Sequence, residues 1–175
     1  MKKLLLVNGS LGKLSYCETI IDVIKTIKNN EVSVADFRHL HLPFELPQYH
    51  KAPEQFPNKN VNIWLNMIKH AHSLILVSPL YHGSISGVLK NALDLLAYDQ
   101  FRGKKVGVII QCGNVRSGST ACVHLRSIIR TLYGTNIQTH IITGAQDFTL
   151  IDNQKCLQDS EIILRLKNML EQLET

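Results

Sequence analysis

The sequence has no Cys-x-x-Cys pair, no Gly-x-Gly, no block of five or six like charges and no apolar run near the roughly 18–20 residues of a membrane helix. Each absence removes a class of protein. Without paired cysteines, Cys17, Cys112, Cys122 and Cys156 lack the spacing of zinc or thioredoxin-like sites, and reduced thiols are expected. Without Gly-x-Gly the dinucleotide fingerprint is excluded. A Walker phosphate loop fails as well: Val7 stands where its first Gly belongs, five residues before Gly12-Lys13, and Leu14 takes the Ser/Thr place. His39-x-His41 and His70-x-His72 are the only close histidine pairs and have no acid or thiol at ligand spacing, so no metal is expected. The net charge is +5, which favours small anionic partners such as phosphates. The basic residues are scattered, so no nucleic-acid partner is expected. The opening run Leu4-Leu5-Leu6-Val7 ends at Asn8-Gly9-Ser10, too soon for a signal peptide, and reads as a buried strand. With no membrane span and no other address, a cytoplasmic location is expected.

What is present is an alternation of short apolar runs with helical patterns. An apolar content of 45% with 19% charged residues over 175 positions fits one globular domain, residues 1–175. Strands are expected at 4–7, 32–37, 74–77, 106–110 and 139–142. Helices are expected from Ser15 (Ile20, Ile21, Val23, Ile24, Ile27 on one face), at 61–72, through Val88–Leu96, at 121–132 and through Ile162–Leu173. Residues 38–60 carry four of the five prolines and read as a long irregular connection. Five strands separated by helices, three of them without alternation, predict a three-layer α/β/α fold with a five-stranded parallel sheet in the order 2-1-3-4-5. In such sheets a ligand sits beyond the carboxyl ends of the strands, at the switch point between the first and third.

Three loops fall on that edge. The first, Asn8 to Tyr16, combines Gly9, Ser10, Gly12 and Lys13 with Ser15-x-x-Glu18, a capping box. It reads either as a capped helix or as a phosphate cradle using free N–H groups at a helix start. The second, Ser78 to Gly87, holds Pro79, Tyr81, His82, Gly83 and two serines able to cap the next helix. Its glycines permit close approach or positive φ. Tyr81 and His82 are candidates to pack on a flat ring. The third runs from Gln111 through Cys112 and Gly113 to Thr120, again with Gly, Ser and Asn before a helix. Cys112 has no acid or base partner in sequence and reads as packing rather than as a nucleophile.

The stretch Ser78-Pro79-Leu80-Tyr81-His82-Gly83-Ser84-Ile85-Ser86-Gly87-Val88-Leu89-Lys90-Asn91-Ala92-Leu93-Asp94 resembles the signature of the NAD(P)H-dependent FMN reductase family. Gly9-Ser10-x-x-x-x-Ser15, Asp36-x-x-x-Leu40-x-Leu42-Pro43 and Gly113–Leu125 resemble further segments of it, so the likeness spans about residues 1–143. The resemblance implies a flavodoxin-like fold and FMN as cofactor. Ser10, Lys13, Ser15, Tyr16 and Cys17 would surround the phosphate. Pro79, Leu80, Tyr81, His82 and Gly83 would hold the isoalloxazine, largely through backbone groups, and Cys112 and Gly113 would close its far side. It also implies a homodimer or homotetramer. The chain departs from the family where an Arg usually follows the first-loop Ser by two places. That place is Gly12, with Lys13 next. Lys90, Asn91 and Asp94 match, in a setting that implies a structural role.

The activity implied is oxidoreduction in which NADPH or NADH gives hydride to FMN, which passes it to a small-molecule acceptor: free flavin, a quinone, an azo compound or a metal ion. No side-chain acid or base is required, since the hydride chemistry belongs to the flavin. A flavodoxin-type electron carrier, or a redox sensor without direct nicotinamide turnover, stands as the alternative; such carriers tend to be acidic, and this chain is basic.

Overall fold

Leu4, Leu5, Leu6 and Val7 are all buried because the strand that carries them is covered on both faces. The computed structural model describes residues 3–29, 31–113 and 117–175. Its strands are β1 (Leu4–Asn8), β2 (Val32–Asp36), β3 (Ser73–Tyr81), β4 (Ser84–Ile85), β5 (Lys105–Gln111), β6 (Thr135–Thr143), β7 (Phe148–Ile151) and β8 (Gln154–Leu157). Its longer helices are α1 (Tyr16–Ile27), α2 (Lys59–His70), α3 (Gly87–Asp94), α4 (Gly118–Thr131) and α5 (Ser160–Glu174). Successive side chains of a strand point to opposite faces, so β1 feeds two cores. Leu4 and Leu6 pack with Ile20, Ile24, Ile75, Leu166 and Met169 beneath α1 and α5. Leu5 and Val7 pack with Trp64, Leu74, Leu76, Leu89 and Leu125 beneath α2, α3 and α4. The Trp64 indole N–H, fully buried, donates to the Ala92 carbonyl at 2.8 Å and so joins α2 to α3.

The parallel strands lie in the order β2-β1-β3-β5-β6. They follow the expected succession, but the expected five-stranded sheet is corrected to six strands. β4 pairs antiparallel with the end of β3, Tyr81 opposite Ser84. The cause is local. His82 (φ 49°) and Gly83 (φ 79°) form a two-residue turn with both central residues at positive φ, the geometry that suits a tight hairpin. β3 therefore runs on to Tyr81 instead of ending at Val77. β6 begins at Thr135, earlier than expected, because an edge strand carries polar residues on its open side. The β7–β8 hairpin was not expected at all; Asp152 (φ 49°) and Asn153 (φ 61°) make its turn. β1 and β3 are neighbours in register, Asn8 opposite Val77, and their carboxyl ends open the crevice that positions the site. Among the described residues no helix is long and apolar enough to cross a membrane.

Candidate functional site

The first loop is pinned to the second by short bonds. Gly9 N–H donates to the Val77 carbonyl at 2.8 Å, and the Gly9 carbonyl accepts from Ser86 Oγ at 2.6 Å. A Cβ at Gly9 would meet Val77 O at 2.7 Å and Leu89 Cβ at 3.1 Å, so only glycine lets the strands close here. Ser86 also caps α3, accepting from Leu89 N at 3.3 Å, while Ser78 Oγ accepts from Ser86 N at 3.0 Å. Both serines are buried. The small hydroxyl residues of the second loop thus fasten the two loops to one another. Asn91 Nδ2 reaches the Pro43 carbonyl at 3.0 Å, and Lys90 pairs with Asp94, as a structural role for these residues requires.

Beyond Gly9 the chain curls. Ser10 N donates to Asn8 Oδ1, and the Oγ of buried Ser10 accepts from Gly12 N at 3.2 Å, leaving its O–H free to donate. Ser15 caps α1, accepting from Glu18 N at 3.2 Å. The space a Gly12 Cβ would fill lies 3.5 Å from Ser10 Oγ and 3.6 Å from Ser15 Cβ. The two serines therefore flank one small hollow at the start of α1, where the N–H groups of Tyr16 and Cys17 have no helical carbonyl behind them. That donor set and that hollow fit a phosphate monoester such as that of FMN. Lys13 is exposed beside it. Cys17 is buried, its thiol pushed up to about 12 by burial, so it offers the hollow a backbone group only. The Tyr16 ring turns away to pack on Phe148 at 4.7 Å.

On the second loop Pro79 is buried, Leu80 half-buried, and Tyr81, His82 and Gly83 are exposed at the hairpin turn. Among the described residues nothing stands within 4 Å of the Cβ position of Gly83 or of Gly113. Ser84 Oγ meets His124 Nδ1 at 3.0 Å, tying the hairpin to α4. Cys112 is buried; its N–H and Sγ both reach the Thr143 carbonyl, at 2.9 and 3.2 Å, and burial raises its thiol pKa. It is held as a neutral thiol, with its backbone at the rim. Asn114, Val115 and Arg116 of the third loop lie outside the described residues.

A cleft of about 830 Å³ adjoins the other side of the first loop, lined by Leu11, Lys13, Leu14, His41, Leu42 and Val88 among others. Its wall includes an ion network the sequence did not reveal. Arg38 Nη2 donates to Glu18 Oε1 at 2.7 Å, and Arg38 Nε donates to Asp36 Oδ1 at 3.0 Å. The Arg38 hydrogen bond holds the Glu18 carboxyl below its usual range against a smaller opposing effect of burial. Burial alone would raise Asp36, but the guanidinium and the Arg38 N–H together outweigh it and lower that carboxyl too. The β7–β8 hairpin, also unforeseen, reaches the first loop from the side of α1: Lys155 Nζ donates to the Leu14 carbonyl at 2.6 Å.

Fold and rim together define a doubly wound α/β protein whose small-residue loops gather at the carboxyl edge of its sheet. Its structure aligns with that of an oxidoreductase from Corynebacterium diphtheriae (TM-score 0.76, 17% identity, 99% of this chain and 94% of that one). It aligns also with an archaeal flavodoxin (TM-score 0.61, 14% identity, 99% and 97%), which makes the fold flavodoxin-like. The family model for NADPH-dependent FMN reductase matches residues 2–148, and the chain belongs to that family. It is 45% identical over 104 residues to the FMN-dependent NADPH-azoreductase of Staphylococcus aureus, an alignment covering 59% of this chain. The chain spans about half the length, 55%, of the curated relatives it matches. The family read from the sequence signature is thus borne out.

Proposed function

We propose that this protein is an NAD(P)H-dependent FMN oxidoreductase that reduces small organic acceptors, azo compounds and quinones among them. The observation that carries the reading is the hollow between Ser10 and Ser15 at the start of α1, on the same sheet edge as the open turn at Tyr81–Gly83 and facing a reductase-family signature. Bound there, FMN supplies acceptance and donation of hydride. The chain's part is position and electrostatics. Ser10, Ser15, Lys13 and the N–H groups of Tyr16 and Cys17 hold the phosphate. Pro79, Leu80, Tyr81, His82 and Gly83 would present backbone to the ring, and the N–H groups of Leu80 to Gly83, Pro79 having none, would favour the negative charge of its reduced form. Cys112 and Gly113 bound the far side through their backbone. Gly83 and Gly113, with nothing among the described residues near their Cβ positions, would leave room over the ring, so that the nicotinamide donor and then the acceptor would occupy one place in turn. No side chain is assigned to proton transfer. A homodimeric or homotetrameric assembly and a cytoplasmic location complete the proposal; both rest on the family and sequence reading, and sedimentation of the purified protein tests the first. The activity is tested by mixing the protein and FMN with NADPH or NADH over a panel of flavin, quinone and azo acceptors. Turnover that needs both FMN and the protein supports the reading, and a protein that neither binds FMN nor oxidises either dinucleotide overturns it.

A further inference from the structure

We propose that Lys155, on the β7–β8 hairpin, is a positioning residue and electrostatic partner for the phosphate cradle of the first loop. The inference rests on the flavin reading above. Lys155 Nζ donates to the Leu14 carbonyl at 2.6 Å and lies 4.8 Å from the centroid of the Tyr16 ring. Leu14 and Tyr16 flank Ser15, the N-cap of α1. Leu14 itself is held at φ 50°, a conformation a branched apolar residue adopts only under constraint, and the bond to Lys155 supplies one. The Tyr16 ring also packs on Phe148, so the hairpin grips the chain on both sides of Ser15.

Both contacts come from a segment far later in the chain, 141 positions beyond Leu14. β6 leads out of the sheet at its carboxyl end, and the hairpin folds back from there onto α1, placing an ammonium next to a helix start whose dipole already favours an anion. The Leu14 carbonyl, itself a negative dipole end, is compensated by the same contact. Lys13, the other cation of the loop, is exposed and makes no such fixed bridge among the described contacts.

The test compares FMN with riboflavin, which has the same ring and no phosphate, in fluorescence-quenching titrations of wild type, K155M and K155R. A fixed cation near a bound phosphate, partly screened, is worth about a tenfold change in affinity. K155M is expected to weaken FMN by about tenfold, to leave riboflavin within about twofold, and to flatten the salt dependence of FMN binding; K155R is expected to restore most of the loss. K155Q, which keeps an N–H donor for the Leu14 carbonyl but no charge, gives the same comparison should K155M fail to fold. Equal FMN affinity in wild type and K155Q, or equal losses for FMN and riboflavin, overturn the role of Lys155 and leave the flavin reading standing. Wild-type protein that binds neither molecule overturns the flavin reading and this inference with it.

Discussion

Replacing Gly9 by alanine tests whether the rim is held shut by close backbone approach. The new methyl would stand 2.7 Å from the Val77 carbonyl oxygen and 3.1 Å from Leu89 Cβ, well inside ordinary contact, and neither neighbour is the free end of a flexible side chain. Relief requires the first loop and β3 to separate. That lengthens the Gly9 N–H bond to Val77 (2.8 Å) and the Ser86 Oγ bond to the Gly9 carbonyl (2.6 Å). Overpacking of this kind costs about 1–3 kcal/mol, and a weakened hydrogen bond adds about 1 kcal/mol. The stiffer unfolded chain returns about 0.4–1 kcal/mol. The net loss is about 2–3 kcal/mol, or roughly 5–10 °C in Tm for a chain of this size. Trp64, the sole tryptophan and fully buried, reports the transition by fluorescence. Gly12→Ala is the paired control. Its methyl meets Ser10 and Ser15 at ordinary contact distances, so stability is expected to hold while FMN affinity falls by about tenfold, because the hollow is filled. G9A melting within about 1 °C of wild type would refute the close-approach argument.

Two further expectations follow from the electrostatics and the thiols. Arg38 depresses the Glu18 and Asp36 carboxyls, and a depressed carboxyl contributes stability that is present above its unfolded pKa and lost as pH falls through its folded pKa. Wild type is therefore expected to lose this contribution only below about pH 4, whereas R38M, with two half-buried carboxylates left uncompensated, is expected to be less stable at neutral pH and to recover part of the deficit on acidification toward pH 4; urea denaturation across that range measures it. Cys17, Cys112 and Cys122 are buried and Cys156 is half-exposed, so a thiol reagent is expected to label Cys156 alone in the native protein and all four cysteines in denaturant; rapid native labelling of Cys112 would contradict its placement.

Much of this was legible before any coordinates. The order of the parallel strands followed from apolar runs such as Leu74–Val77 and Val106–Ile110, which do not alternate because both their faces are covered. The rim followed from Gly, Ser and Asn at three strand ends. What escaped had physical reasons. β4 is two residues long and owes its existence to the His82–Gly83 turn, not to any hydrophobic pattern. The β7–β8 hairpin lacks a glycine at its turn; Asp152-Asn153 was its only signal, and its strands carry exposed Leu150 and Ile151 instead of a clean alternation. The Glu18–Arg38–Asp36 network joins residues on α1 and β2 that nothing in the sequence pairs. Lys155 escaped for the same reason: a cation matters through what it reaches, and its reach is set by the missed hairpin. Tyr16 and Cys17 were expected beside the phosphate from the family resemblance, which does not tell where a side chain points; the Tyr16 ring packs on Phe148 and the Cys17 side chain lies in the core.

The central claim is that this rim holds FMN so that a nicotinamide reduces it directly. Anaerobic rapid mixing of the FMN-loaded protein with NADPH, and separately with NADH, measures that step with no other protein present. The account predicts bleaching of the visible flavin band by at least one of the two, with a rate that saturates in dinucleotide, and return of colour when a quinone or azo compound is added. A loaded protein whose flavin stays oxidised under both dinucleotides would contradict it.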